Sequence, residues 1–183
     1  AWIYRTGGAT NYDGIISKFN ATTNSVDFLL AGALAGSDDL FARISTGAAD
    51  AYGYTTGNLI NLYQWHHVVG VCDQANGFVR LYVNGTNVFQ GAITPNSGLL
   101  GSASTVSIGS RQAGLGTPYN NQFVGFMEEV AIYGYALSSN QIVAHFRAAT
   151  NRAPVFTGNP LTLASANAGQ FYVPSFSHRT IVY

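Results

Sequence analysis

The sequence predicts an all-β protein: two antiparallel sheets packed as a jelly-roll sandwich, with one short helix near the C-terminal end. Three observations carry that prediction. Short runs of aromatic and β-branched residues recur from Trp2 to Tyr133, punctuated by turns rich in Gly, Asn and Asp. Within Phe78-Val79-Arg80-Leu81-Tyr82-Val83, residues 79, 81 and 83 are apolar and share one face of a strand, while Arg80 and Tyr82 take the other. Only the stretch beyond Leu137 has helical spacing: Ser138 or Ser139 can cap it, and Ile142, Val143 and Phe146 line one apolar face.

Each element has its own local cause. Residues 1–5 read as a strand, followed by a polar loop to Asp13. Gly14 to Phe19 and Val26 to Leu34 are the next two strands. Asp38-Asp39 makes a turn before the strand Leu40 to Ile44, and Gly47 to Gly57 reads as a small-residue loop carrying Tyr52 and Tyr54. Trp65 to Cys72 is a strand broken by Asp73-Gln74-Ala75-Asn76-Gly77. Phe78 to Val83 follows, and Asn84-Gly85 supplies the positive φ angles of a two-residue hairpin leading back through Thr86 to Ile93. A loop at residues 94–98 and a short strand, Thr105 to Gly109, lead to a long polar loop, Ser110 to Asn121. Gln122 to Tyr133 reads as the closing strand.

Two phrases in this order resemble a known family. W-H-H-V-V-G-V-C-D, a turn, then L-Y-V-N-G is similar to the signature of laminin-G-like jelly rolls of the concanavalin A-like lectin/glucanase superfamily. Gly125-Phe126-Met127-Glu128-Glu129-Val130-Ala131-Ile132-Tyr133 resembles that family's closing strand. The resemblance implies strands ahead of Trp2, so the chain is expected to be an excerpt of a longer, secreted bacterial polypeptide. It also implies a structural calcium ion. Glu128 stands where the family motif has Asp, and strand alternation from Phe126 through Val130 and Ile132 places it on the expected core side. Asp38 and Asp39 are the further metal ligands expected. The competing interpretation is a carboxylate bonded to backbone amides or an Arg, since a buried charge needs one partner or the other.

Residues 1–150 are expected to be the jelly roll. At Asn151-Arg152-Ala153-Pro154 the composition changes, and residues 151–183 read as a linker with strand-like pieces. The N-x-A-P-V-F phrase resembles the entry to an immunoglobulin- or cadherin-like module, but the segment is too short to form such a sandwich alone. A strand completing the jelly roll, in cis or exchanged between protomers, is the alternative.

Composition narrows the partners. In 183 residues there are eight acidic and eight basic side chains, only 9% charged, so electrostatics favours neither nucleic acid nor an anionic membrane. No apolar run reaches spanning length. Cys72 is the only cysteine, which excludes an intrachain disulfide and fits a small core residue. Polarity comes from Asn, Gly, Ser, Thr and eleven Tyr, a composition suited to neutral polar ligands met outside cells or on their surface.

Those residues point to sugar. Glycans present apolar C–H faces and many hydroxyls, so their sites combine aromatic rings with amide, carboxylate and guanidinium groups. Tyr52 and Tyr54 in one loop, and Arg111, Tyr119, Asn120 and Asn121 in another, are the expected ligand contacts. Trp2 and Trp65 lie in strands and read as core, as do His66 and His67, which alternate faces. Catalysis is disfavoured. The carboxylate strand E-x-D-x-x-E of glycosidases on this superfamily's fold is absent, and Glu128 and Glu129, adjacent on a strand, should face opposite ways instead of flanking a bond. The expectation is a non-catalytic glycan-binding or adhesion module. The alternatives are a structural or protein-interaction spacer, and a glycan hydrolase or polysaccharide lyase.

Overall fold

The hairpins from Trp65 to Ala92 form where the aromatic and β-branched runs require them, and the remaining strands arrange around them. The structure, a computed structural model, describes residues 1–7, 13–18, 26–31, 39–45, 50–54, 58–99, 105–112 and 118–150. All of these belong to one compact unit, Ala1–Thr150. Asp38 and residues 151–183, with the edge-filling and strand exchange expected of them, lie outside the described residues.

Strands in chain order are β1 (Trp2–Arg5), β2 (Asp13–Lys18), β3 (Val26–Ala31), β4 (Asp39–Ser45), β5 (Asp50–Tyr54) and β6 (Trp65–Asp73). There follow β7 (Phe78–Val83), β8 (Thr86–Ala92), β9 (Ser107–Ile108), β10 (Arg111–Gln112), β11 (Tyr119–Asn120) and β12 (Gly125–Glu128), then helix α1 (Ser139–Thr150). One sheet runs β12-β1-β6-β7-β8 and the other β5-β4-β3-β2-β9, with β10-β11 as a separate ribbon; every strand pair is antiparallel.

Both five-stranded sheets feed one core. Ile3 of β1, Val68 of β6 and Val79, Leu81 and Val83 of β7 meet Ile15 of β2 and Leu40, Ala42 and Ile44 of β4. The β7 alternation read from the sequence is therefore the inward one. A second, smaller cluster lies on the outer side of the first sheet, where Val71 and Tyr82 pack with Leu137 and Ile142 of the helical segment. Tyr82 reaches Ser139 Oγ at 3.0 Å. The helix begins with a reciprocal cap: Gln141 N donates to Ser138 Oγ (3.3 Å), and Ser138 N donates to Gln141 Oε1 (2.9 Å). The β7–β8 turn has φ of 51° at Asn84 and 78° at Gly85, the pair of positive values a two-residue hairpin with right-handed twist requires.

Three sequence expectations change. The small-residue stretch with Tyr52 and Tyr54 holds a strand, β5, paired along β4. The polar loop 110–121 contains the β10–β11 ribbon. The closing strand is short, ending at Glu128, because Glu129 takes φ of 50° and leaves the extended conformation.

Candidate functional site

On β1 the inward residues are Ile3 and Arg5, which leaves Trp2 and Tyr4 pointing away from the core. Register then builds two rows across three strands. Tyr4 pairs with Phe126 on β12 and Trp65 on β6; Trp2 pairs with Glu128 on β12 and His67 on β6. Phe126, Tyr4 and Trp65 thus stand abreast, with ring centroids 6.0 Å (Phe126–Tyr4) and 5.4 Å (Tyr4–Trp65) apart. Phe126 is 62% exposed and Trp65 39% exposed.

The second row is capped by the helix. Phe146 stacks on Trp2 at 5.8 Å and on His67 at 6.2 Å. Beside it lies a groove of about 600 Å³ whose walls include Trp2, Trp65, Phe146, Asn84, Glu128 and Glu129. The Asn84 side chain is held in place, its Oδ1 accepting from His67 N at 2.9 Å and its Nδ2 lying 3.3 Å from His66 Nδ1. The Glu128 carboxylate is exposed and makes no hydrogen bond or ion pair among the described residues. His67 is buried, and its Nδ1 has no hydrogen-bond partner among them either. Burial first, then the Ala1 amine and His145, depress His67 to about 4, so it is neutral at pH 7.

Several expectations are corrected here. Glu128 does not face the core: Met127 packs against it, and Glu128 lies with Phe126 on the outer face. A carboxylate that is solvated does not need a cation to offset its burial. Asp39 opens β4 in the other sheet, and no group of three His, Cys, Asp or Glu gathers among the described residues. Glu128 and Glu129 do not diverge, because the turn at Glu129 brings both to one groove. Trp65 is not core, and Trp2 is half-buried under Phe146 on the outer face. The signal that could have found this site is strand alternation itself: Ile3 inward forces Trp2 and Tyr4 outward.

The expected loop contacts separate into two places. Arg111 pairs with Asn120 and Gln112 with Tyr119, so the ribbon does bring Arg111, Tyr119 and Asn120 together. Tyr119, 46% exposed, has its hydroxyl 2.7 Å from Thr105 Oγ1. The carbonyl of Asn121 accepts from Gly14 N at 2.8 Å, which ties the ribbon to β2. Tyr52 and Tyr54 sit on β5, opposite Arg43 and Phe41, at the far edge of that sheet. The β5 strand is three strand spacings from β2, about 14 Å. The structure does not unite the two groups.

A further surface groove, lined by Asp73, Asn76, Arg80 and Gln90, has its polar groups engaged with one another. Asn76 donates to Asp73 through its backbone and side chain and holds that carboxyl below the usual range, with Arg80 adding to the effect. Arg80 Nε donates to Gln90 Oε1 at 2.7 Å, and the guanidinium lies 4.8 Å over the Phe78 ring.

Comparison with known proteins adds the following. The Laminin_G_3 family, described as part of the concanavalin A-like lectin/glucanases superfamily, matches residues 1–143. No curated protein matches the chain significantly. Among solved structures, the CBM40 of the Ruminococcus gnavus IT-sialidase superposes with TM-score 0.62 at 18% identity, over 79% of this chain and 80% of that one. The same module has been solved with α2,3-sialyllactose bound. Domain 4 of an extracellular arabinanase from Geobacillus stearothermophilus, in complex with arabinotriose, gives TM-score 0.50 at 19% identity, covering 78% of this chain and 62% of that one. A heptameric SAP-like pentraxin from Limulus polyphemus gives 0.55 at 17% identity, covering 78% and 65%. At these identities the likeness establishes the fold alone.

Proposed function

This chain belongs to the Laminin_G_3 family of the concanavalin A-like lectin/glucanases superfamily, and from that premise we propose that it is a non-catalytic glycan-binding module of a larger extracellular or cell-surface protein. The observation that carries the proposal is the row Phe126–Tyr4–Trp65, open to solvent beside the Glu128 carboxylate, which has no partner among the described residues. Rings give a sugar's C–H face a flat apolar surface at low entropic cost, and a few placed polar groups fix its orientation. Glycan-binding modules among the superposable structures support the same reading.

Hydrolysis is the weaker alternative. It divides acid and base roles between carboxyls in different surroundings on either side of a bond. Glu128 and Glu129 are chain neighbours, both exposed to solvent.

A protein-docking role has one observation in its favour: Leu62, Tyr63 and Val124 are also exposed, extending the apolar surface near the Arg5 end of β1. Affinity electrophoresis through gels containing a polysaccharide panel decides between the two. Retention of the wild type, lost in Trp65→Ala and Phe126→Ala with unchanged circular dichroism, is the expected result. Retention by no polysaccharide would overturn the glycan proposal, and retention unaffected by either substitution would overturn the site.

A further inference from the structure

We infer that this groove takes uncharged, hydroxyl-rich glycans and rejects glycans bearing carboxylate or sulfate, an inference that rests on the glycan-binding proposal above. Its walls carry two carboxylates, Glu128 and Glu129, and none of the described residues lining it is Lys or Arg. Glu128 has no internal partner among the described residues to neutralise it. The Ala1 amine interacts with Glu129, but burial pushes it down to about 6, so it is largely uncharged at pH 7. Arg147, in the last turn of α1, is exposed and does not line the groove.

The hydrogen-bonding chemistry points the same way. Ionised carboxylates only accept. The Thr150 hydroxyl already donates to the Phe146 carbonyl at 3.1 Å, leaving its oxygen as an acceptor. A groove with two acceptor-only carboxylates and flat rings suits a ligand that supplies donors of its own, and sugar hydroxyls do. A uronate, sialate or sulfate seated against Trp65 in this groove would bring acceptor to acceptor and negative charge to negative charge. Inside a partly desolvated groove that repulsion is much stronger than in water.

The test compares gels of neutral arabinan, β-glucan and mannan with polygalacturonate and a sulfated polysaccharide, at low and high salt, for four proteins. The wild type should be retained by at least one neutral polymer and by neither anionic one. The Glu128→Gln/Glu129→Gln double variant should gain at least about tenfold in polygalacturonate retention, since removing both charges removes the repulsion. Trp65→Ala should lose neutral binding. Tyr119→Ala should not.

Wild-type retention by an anionic polymer that Trp65→Ala abolishes would overturn the charge selectivity and leave the glycan site standing. A double variant with no gain for polygalacturonate would overturn it too. Retention of the wild type by none of the five polymers would overturn both proposals together.

Discussion

The outer face of β12, β1 and β6 and the β10–β11 ribbon both gather aromatic and polar side chains, but they are built differently. On the outer face each side chain is placed by a strand whose other side is anchored in the core: Ile3 fixes Trp2 and Tyr4, Met127 fixes Phe126 and Glu128, and His66 fixes Trp65 and His67. In the ribbon, Tyr119 and Arg111 sit on two-residue strands, and the Tyr119 hydroxyl is engaged with Thr105. A rigid ring row with open faces is a better platform than a pair whose polar atom is already bonded, because less ordering has to be supplied on binding.

The strongest way to break the contrast is at Gly125. Its φ is 152°, and a Cβ there would meet the Tyr4 carbonyl oxygen and the Arg5 Cα. Gly125→Ala should force β12 off β1 and separate Phe126 from Tyr4, costing about 3 kcal/mol or more. Chemical denaturation checks the loss. Stability within about 0.5 kcal/mol of wild type would mean that the ring row does not depend on this close approach.

Next in size is the acid response of the face. His67 is buried neutral between Trp2 and Phe146 and titrates at about 4, whereas the unfolded chain's His titrates near the ordinary 6.5. Above pH ~6.5 neither state binds the proton. Between there and pH 4 only the unfolded state does, so stability falls as pH falls through that window, by up to about 3 kcal/mol. His66, also depressed by burial and by Arg5, acts in the same direction. Urea titrations from pH 7.5 to 4 should show the decline, and His67→Leu should flatten it. A wild-type curve that is level from pH 6.5 to 4 would refute the buried-neutral assignment.

The smaller effect compares the two regions directly. Removing one ring of the row should weaken glycan retention about tenfold, roughly 1.4 kcal/mol. Tyr119→Ala should change it less than about twofold on the same scale. Equal losses from Trp65→Ala and Tyr119→Ala would join the two regions in one extended site, contrary to the separation inferred here.

The sequence made the hairpins legible because their signals are local. Alternation over Phe78–Val83 fixes a face, Asn84-Gly85 fixes a turn, and Ser138 with Gln141 fixes a helix start. The outer-face site was hidden by a competing rule. Large apolar side chains in strands are most often core, and that rule claimed Trp2 and Trp65 although alternation from Ile3 excluded Trp2 from the inward face. The fate of Glu128 turned on one backbone angle. Nothing in Met127-Glu128-Glu129-Val130 announces a left-handed residue at Glu129, and without it the alternation rule runs on to Tyr133 and puts Phe126 and Glu128 inside. The separation of Tyr52 from Tyr119 follows from sheet order, a non-local property that no single stretch encodes.

Calcium supplies the smallest expected effect and the sharpest contrast between kinship and geometry. Family resemblance asks for an ion at the inner seam near Glu128. Glu128 lies instead on the outer face, solvated, with Glu129 and the aromatic rings as its neighbours, and Asp39 belongs to the opposite sheet. Two exposed carboxylates fall well short of the six to eight oxygens calcium takes. A ligand that binds only the native state must raise the melting temperature, so chelation and millimolar calcium should give superimposable melting curves. Calcium-dependent stabilisation retained in Glu128→Gln would place an ion elsewhere in the fold, while stabilisation lost in that variant would return Glu128 to the role its family position suggests.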